Sequence, residues 1–344
     1  MIEELDFDYS ELQKTVENLL PGEFPFTFEE LVTRFLSGEP DKGMIAEIWE
    51  WLLSMVTFPM EHGMRLLFLI LFSALFSNLS KAFSREGTAH MGFLCVYLLL
   101  AVHIVSGFMS SLTTAMEGME NICGFAGALF PMYCLSIAVV TGSVTAAGYY
   151  QGTVFLISFF ELLARYCLLP LAQGYLLIAV ASCMQKRPIF KRLLELIASL
   201  FSWIKKTLLG IALALGAVQG ILAPTIDGLK RTAVIQSASV IPGLGDLFGG
   251  AWETVMGAGV VLKNSLGFAG MVFLIVIACV PLIKLVLQYV VYRILSAVSE
   301  PVAQGMTEHF LYHAGVAQKL LLETLITGMI LFLLLLVVMT RISS

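Results

Sequence analysis

The sequence predicts an all-α polytopic integral membrane protein, and three observations carry that prediction. Of the 344 residues, 58% are hydrophobic and only 13% are charged, against roughly 25% charged in soluble domains. The mean hydropathy is +0.88. Apolar runs long enough for a membrane helix (about 20 residues) recur from residue 64 to the C-terminus. We expect about six to eight membrane-embedded helices, some broken or re-entrant, behind a small N-terminal helical region.

Charge divides the chain. Residues 1–61 hold 14 acidic and 3 basic residues, a net of −11, and the remaining 11 acidic and 17 basic residues give the rest +6. An acidic head thus precedes a weakly basic membrane body, with nothing that suggests nucleic-acid binding. The six cysteines, Cys95, Cys123, Cys134, Cys167, Cys183 and Cys279, form no CxxC pair. They predict neither a disulfide framework nor a metal site. The acidic N-terminus lacks the n- and h-regions of a signal peptide. Either the first membrane helix is the targeting signal or a signal has been removed.

The head, 1–61, reads as short helices. Residues 10–20 have apolar positions at helical spacing and stop at Pro21-Gly22. Thr27-Phe-Glu-Glu30 fits a capping box, and Gly38 provides a stop. A third amphipathic segment, 41–58, places Trp49 and Trp51 where a membrane interface favours them. The head is read as a helical cap on the bilayer, with a partner-docking surface as the alternative.

The first membrane bundle is 62–184. Spans are expected at 64–80 and 91–112, with Lys81 and Arg85 between them and Glu117 and Glu120 in a loop at 113–127. The positive-inside bias then puts the N-terminus and the 113–127 loop outside and the 81–90 loop in the cytoplasm. A third span, 128–150, is expected to end at the polar turn Tyr149-Tyr150-Gln151-Gly152. Residues 153–184 contain Glu161, Arg165 and Pro170 and are read as folding back at Leu168-Leu169-Pro170. That fold keeps the six basic residues Lys186, Arg187, Lys191, Arg192, Lys205 and Lys206 cytoplasmic.

A basic interfacial elbow helix is expected at 185–207, where apolar residues such as Ile189, Leu193, Ile197 and Ile204 alternate with basic ones. The second bundle, 208–344, has spans at 208–226, 266–297 (with Pro281 as a break) and 320–339. Between the first two lies a glycine-rich stretch, 228–270. Eight glycines fall between Gly243 and Gly270, beside Pro242, Asp246, Glu253 and Lys263. Backbone that irregular is tolerated at membrane depth only where protein or a watery cavity satisfies it, so a re-entrant extracytoplasmic loop is expected. Asn121-Ile-Cys-Gly124-Phe-Ala-Gly127 and Asn264-Ser-Leu-Gly267-Phe-Ala-Gly270 share the pattern N-x-x-G-F-A-G. Each is placed at an extracytoplasmic helix start, and such echoes can mark duplicated halves.

The polar candidates are few. Glu161 and Arg165, four apart, are expected to pair on one helix face, either as a functional charge pair or as a lock between helices. Lys284 either snorkels or meets a carboxylate such as Glu323. His309 and His313 lack the glutamate of HExxH and a third ligand, so they are read as interfacial rather than zinc-binding. His103 is read as a hydrogen-bonded core residue. No catalytic or cofactor-binding constellation is recognisable, and no phosphate-cradling motif occurs. The assembly or gating candidates are Pro242, Gly243, Gly245, Asp246, Gly257, Lys263, Asn264, Gly267 and Gly270, and the helix breaks are Pro170 and Pro281.

Ser239-Val-Ile-Pro242, Val255-Met-Gly257, Leu262-Lys-Asn264 with Gly267, and Pro281-Leu-Ile-Lys284-Leu resemble the signature region of the stage III sporulation protein AE family. Asp8-Tyr9-Ser10-Glu11-Leu12-Gln13 and Phe28-Glu29-Glu30-Leu31 resemble that family's start. The resemblance implies a mother-cell membrane protein, acting with sibling proteins AA to AH and the forespore protein Q in a channel or secretion-like complex, with energy from the partner ATPase AA. A non-enzymatic membrane subunit of that complex, with its N-terminus extracytoplasmic, is therefore the leading expectation. The alternatives are a stand-alone transporter of a small solute, using Glu161, Arg165 and the glycine-rich stretch, and a membrane scaffold that conducts nothing.

Overall fold

Long apolar runs without turn residues fold as long rods, and the backbone follows that rule further than the sequence reading did. The computed structural model describes residues 10–20, 22, 24–36, 42–54, 60–82, 86–141, 143–183, 190–238, 244–301 and 306–341. The head contributes α1 (Ser10–Leu19), α2 (Phe28–Leu36) and α3 (Lys42–Ser54). The rest comprises α4 (Met60–Ala82), α5 (Glu86–Thr141), α6 (Ser143–Leu163), α7 (Leu169–Cys183), α8 (Lys191–Ala238), α9 (Leu244–Ser299) and α10 (Met306–Arg341). No strand occurs among the described residues.

The expected capping box is present in the head. The Thr27 N–H donates to Glu30 Oε2 at 3.0 Å and the Glu30 N–H donates to Thr27 Oγ1 at 3.2 Å. Gln13 Oε1 on α1 accepts the Phe28 N–H at 2.8 Å, which ties the first two helices together. Their apolar faces cover the bundle. Phe24 and Phe28 both lie 5.4 Å, ring to ring, from Phe273 of α9, and Phe125 of α5 lies 6.3 Å from the same ring.

Among the described residues five helical stretches are long and apolar enough to cross a membrane: Cys95–Ala138, Ala146–Cys183, Lys191–Ala217, Gly259–Ser299 and Thr307–Thr340. That is fewer than the six to eight expected, in part because the spans read at 91–112 and from 128 onward run together in α5. The 113–127 loop is helical inside α5, a rod of 56 residues. Its polar run stays helical because the hydroxyls bond back into their own helix. Ser111 donates to the Gly107 carbonyl, Thr113 to Met109 and Thr114 to Ser110, at 3.1–3.2 Å, a pattern open to Ser and Thr in helices. The side assignments that depended on a loop there no longer follow.

Four further expectations are corrected. The turn at Tyr149–Gly152 is helical within α6. The elbow at 185–207 is not separate, since α8 runs through Lys205 and Lys206 without a break. The re-entrant loop at 228–270 is instead the end of α8 and the start of α9, with residues 239–243 outside the described residues. Neither proline ends its helix. Pro281 lies inside α9, and at Pro170 a π turn, Ala164–Leu168, precedes α7, its Leu169 N–H donating to the Ala164 carbonyl five residues back. The wider turn gives room to a proline ring that in an α-helix would press on the carbonyl four residues earlier. Residues 153–184 therefore do not fold back at Leu168–Pro170.

The core is the crossing of α5, α9 and α10. Contacts between α5 and α9 run in opposite senses along the two helices. Gly107 faces Tyr292, Gly118 faces Pro281, Leu129 faces Gly270 and Tyr133 faces Gly267. The two helices are therefore antiparallel, and both copies of N-x-x-G-F-A-G lie within them near that crossing, not at helix starts. α10 lies antiparallel to α9, with Gly315 against Arg293 at one end and Thr340 against Gly267 at the other.

Candidate functional site

Lys263, Gly267 and Gly270 sit at i, i+4 and i+7 of α9, so one helix face carries all three. That face is turned into the α5–α10 crossing. Lys263 is 0% exposed, and its Nζ donates to the Thr340 carbonyl at 3.0 Å. Thr340 is in the last turn of α10, where carbonyls lack partners within the helix and the helix dipole is negative. A buried lysine at that point acts as a cationic cap. One turn along, Gly267 makes the approach possible. A Cβ there would stand 2.7 Å from Thr340 Cγ2 and 2.9 Å from the Tyr133 hydroxyl. A Cβ on Gly270 would stand 2.5 Å from Leu129 Cδ2.

The remaining assembly candidates do not join this cluster. Asn264 is exposed, and Gly257 is exposed with open space around it. Gly245 and Asp246 are in the first turns of α9, and Pro242 and Gly243 lie outside the described residues. Gly267 and Gly270 act as notches for helix contact.

The charges pair differently from expectation. Arg165 Nη1 lies 3.5 Å from Glu120 Oε1 of α5, both side chains nearly half exposed, and no Glu161–Arg165 contact forms among the described groups. A π turn begins at Ala164, immediately before Arg165. Glu323 of α10 takes Lys205 of α8 and, at 3.5 Å, Lys319 one turn earlier. Lys284 is exposed. Lys205 also lies 5.3 Å from the Phe201 ring, while Lys206 is exposed.

These two ties predict different couplings. A double-mutant cycle on Lys205 and Glu323, whose side chains are only 17% and 27% exposed, should give a coupling toward the upper part of about 0.5–3 kcal/mol. The same cycle on Glu120 and Arg165 should stay below about 1 kcal/mol because solvent reaches both. Thermal unfolding of the purified single and double variants measures both, and equal couplings would contradict the difference in burial.

The histidines separate. The Tyr175 hydroxyl of α7 lies 2.9 Å from His313 Nδ1, while His309 is exposed. Among the described residues no group of three His, Cys, Asp or Glu side chains is placed to hold a metal ion. His103 stacks on His62 of α4, ring centroids 4.5 Å apart and 19° from parallel. Its Nε2 is enclosed with no hydrogen-bond partner, so at that atom the expected hydrogen bond does not form. The roles of Tyr133, Thr340, His62 and Lys205 escaped the sequence reading. Each depends on a partner at least 40 positions away in the chain. The i, i+4, i+7 spacing of Lys263, Gly267 and Gly270 was the one local signal that could have pointed to the crossing.

The arrangement can tie helices together and cap a helix end within an apolar bundle. The family model described as stage III sporulation protein AE matches residues 22–343. A curated relative, stage III sporulation protein AE of Bacillus subtilis (strain 168), is 28% identical over 241 residues, covering 70% of this chain and 60% of the relative. The aligned part thus spans about 60% of that relative's length. No solved structure matches.

Proposed function

Because the chain belongs to the stage III sporulation protein AE family, we propose that it is a multi-spanning, non-enzymatic membrane subunit of a channel or secretion-like complex linking mother cell and forespore during endospore formation. The observation that carries this reading is the family match over nearly the whole chain, on a bundle whose buried polar groups serve as ties between helices. In this reading the protein lies in the mother-cell membrane around the forespore, and Lys81 and Arg85 hold the 81–90 segment on the cytoplasmic side. The acidic head then faces outward, toward sibling proteins AA to AH and the forespore protein Q. A second reading, transport of a small solute by this chain alone, draws on the antiparallel placement of the two N-x-x-G-F-A-G copies, since inverted repeats are common in transporters.

Deletion of the gene in its sporulating host separates the two. The complex reading expects vegetative growth at the wild-type rate and arrest of late forespore development, restored by a tagged copy that co-purifies with sibling sporulation proteins. Normal heat-resistant spores, or a tagged protein recovered alone from sporulating cells, would sink it. A vegetative uptake defect favours the transporter.

A further inference from the structure

We propose that Arg293 of α9, held against the rings of Tyr289 and Tyr312, is a binding site for a phosphate ester at the edge of the membrane bundle. This goes beyond the channel-complex reading and does not rest on it.

The arginine is fixed by contacts on two helices. Its guanidinium carbon lies 5.2 Å from the ring centroid of Tyr312 on α10 and 6.0 Å from that of Tyr289, one turn earlier on α9. Both distances fall in the range where a ring face attracts a cation. The stem is placed as well, since a Cβ on buried Gly315 would stand 3.3 Å from Arg293 Cδ and 3.8 Å from its Cγ. A glycine of α10 thus lies under the stem and a tyrosine of α10 beside the head.

The charge has no counter-ion. Arg293 is exposed, yet among the described residues it makes no ion pair. Glu300, just past the end of α9, and Glu308, one turn before Tyr312, both leave it unpaired. Its exposed neighbours on α9 are Val290, Ile294 and Val298, a face suited to lipid tails. A fixed guanidinium on such a face calls for an anion from outside the chain. Its planar fork offers paired N–H donors to two oxygens at once, the geometry a phosphate accepts.

The level fits a headgroup. α9 ends at Ser299, six residues beyond Arg293, and α10 begins at Met306, six before Tyr312. At 1.5 Å per residue both lie about 9 Å from the helix ends, close to the depth of a headgroup layer. A row of rings marks the same height. Tyr312 meets His313 at 5.5 Å and His313 meets Tyr175 of α7 at 5.9 Å, ring to ring. Tyrosines from α7, α9 and α10 at one height form the kind of girdle that membrane interfaces favour. A phospholipid and a soluble phosphate ester present the same group, so both are tested.

The test is binding to the full-length protein purified in dodecyl maltoside. Dioctanoyl-phosphatidylglycerol is read by native mass spectrometry and glycerol phosphate by calorimetry. Saturable, Arg293-dependent binding of either ligand supports the site, and binding of the lipid alone assigns its source to the bilayer. Arg293→Gln should weaken binding about tenfold or more, the loss of a charged hydrogen-bonded contact. Arg293→Lys should fall between, because an ammonium cannot fork onto two oxygens, and it decides the case if Arg293→Gln fails to fold. Tyr312→Leu should weaken binding about two- to fivefold. Lys284→Gln, which removes an exposed charge of α9 outside the row, should bind as wild type. Undiminished affinity in either arginine variant, a loss in Lys284→Gln as great as in Arg293→Gln, or no saturable binding of either ligand would each overturn the site.

Discussion

Replacing Gly118 with leucine is expected to prevent α5 and α9 from closing, leaving a protein that is aggregated or degraded rather than merely less active. A Cβ alone at that position would lie 2.8 Å from both Cβ and Cγ of Pro281 and 3.2 Å from Leu325 Cδ2. The first two atoms belong to a ring fixed in the α9 backbone, so they cannot swing aside as a flexible side chain would. Overpacking of this kind costs about 1–3 kcal/mol for modest additions, and a leucine adds far more than a methyl. Gly118→Ala should therefore already lower the thermal midpoint. Gly124→Ala is the control, because its Cβ meets nothing within 4 Å. An exposed helical glycine changed to alanine should gain up to about 1 kcal/mol from helix propensity. Size-exclusion profiles and thermal unfolding of the solubilised variants measure these effects. If Gly118→Leu runs as a monodisperse species with the wild-type midpoint, the α5–α9 crossing is wrong.

Lys263→Glu is expected to be the most damaging charge change in the protein. It places a carboxylate at a fully buried position facing the Thr340 carbonyl, at the negative end of α10. Breaking a buried charged contact by changing one partner typically costs about 3–5 kcal/mol. Lys263→Met keeps most of the volume and removes the charge, so its cost is that of a carbonyl deprived of this donor, about 1–3 kcal/mol. The order wild type, Lys263→Met, Lys263→Glu should appear in thermal midpoints. It should appear again in proteolysis of the last turn of α10, which loses its tie to α9. Indistinguishable midpoints for Lys263→Glu and the wild type would remove the lysine from the helix-capping role.

Several features were legible before any coordinates. The helical class follows from apolar runs too long for strands in water. The capping box at Thr27 and Glu30 was readable because both partners lie within one turn, and it formed with both hydrogen bonds. Local rules misled where a local signal had a distant answer. Thr113 and Thr114 fall in the expected 113–127 loop, yet their hydroxyls are satisfied by the helix itself. Lys205 reads as part of a basic interfacial elbow, yet Glu323 of α10 receives it. Glu161 and Arg165 satisfy the local i, i+4 rule, but Arg165 meets Glu120 of α5, a partner far off in the chain.

By itself, then, the sequence determined the apolar helical class, the acidic head with its capped helices, and the family. These depend on composition, short-range spacing and matched residues, all properties of the chain in one dimension. The tertiary structure alone decided how many rods there are, that α5 and α9 cross antiparallel, and that Lys263 faces the end of α10 rather than a loop. The reason is physical. A glycine in sequence reads equally as a break or as a notch, and a charge reads equally as a surface group or a tie. What distinguishes them is whether another helix stands a few ångströms away, as Pro281 stands against Gly118 and Thr340 against Lys263.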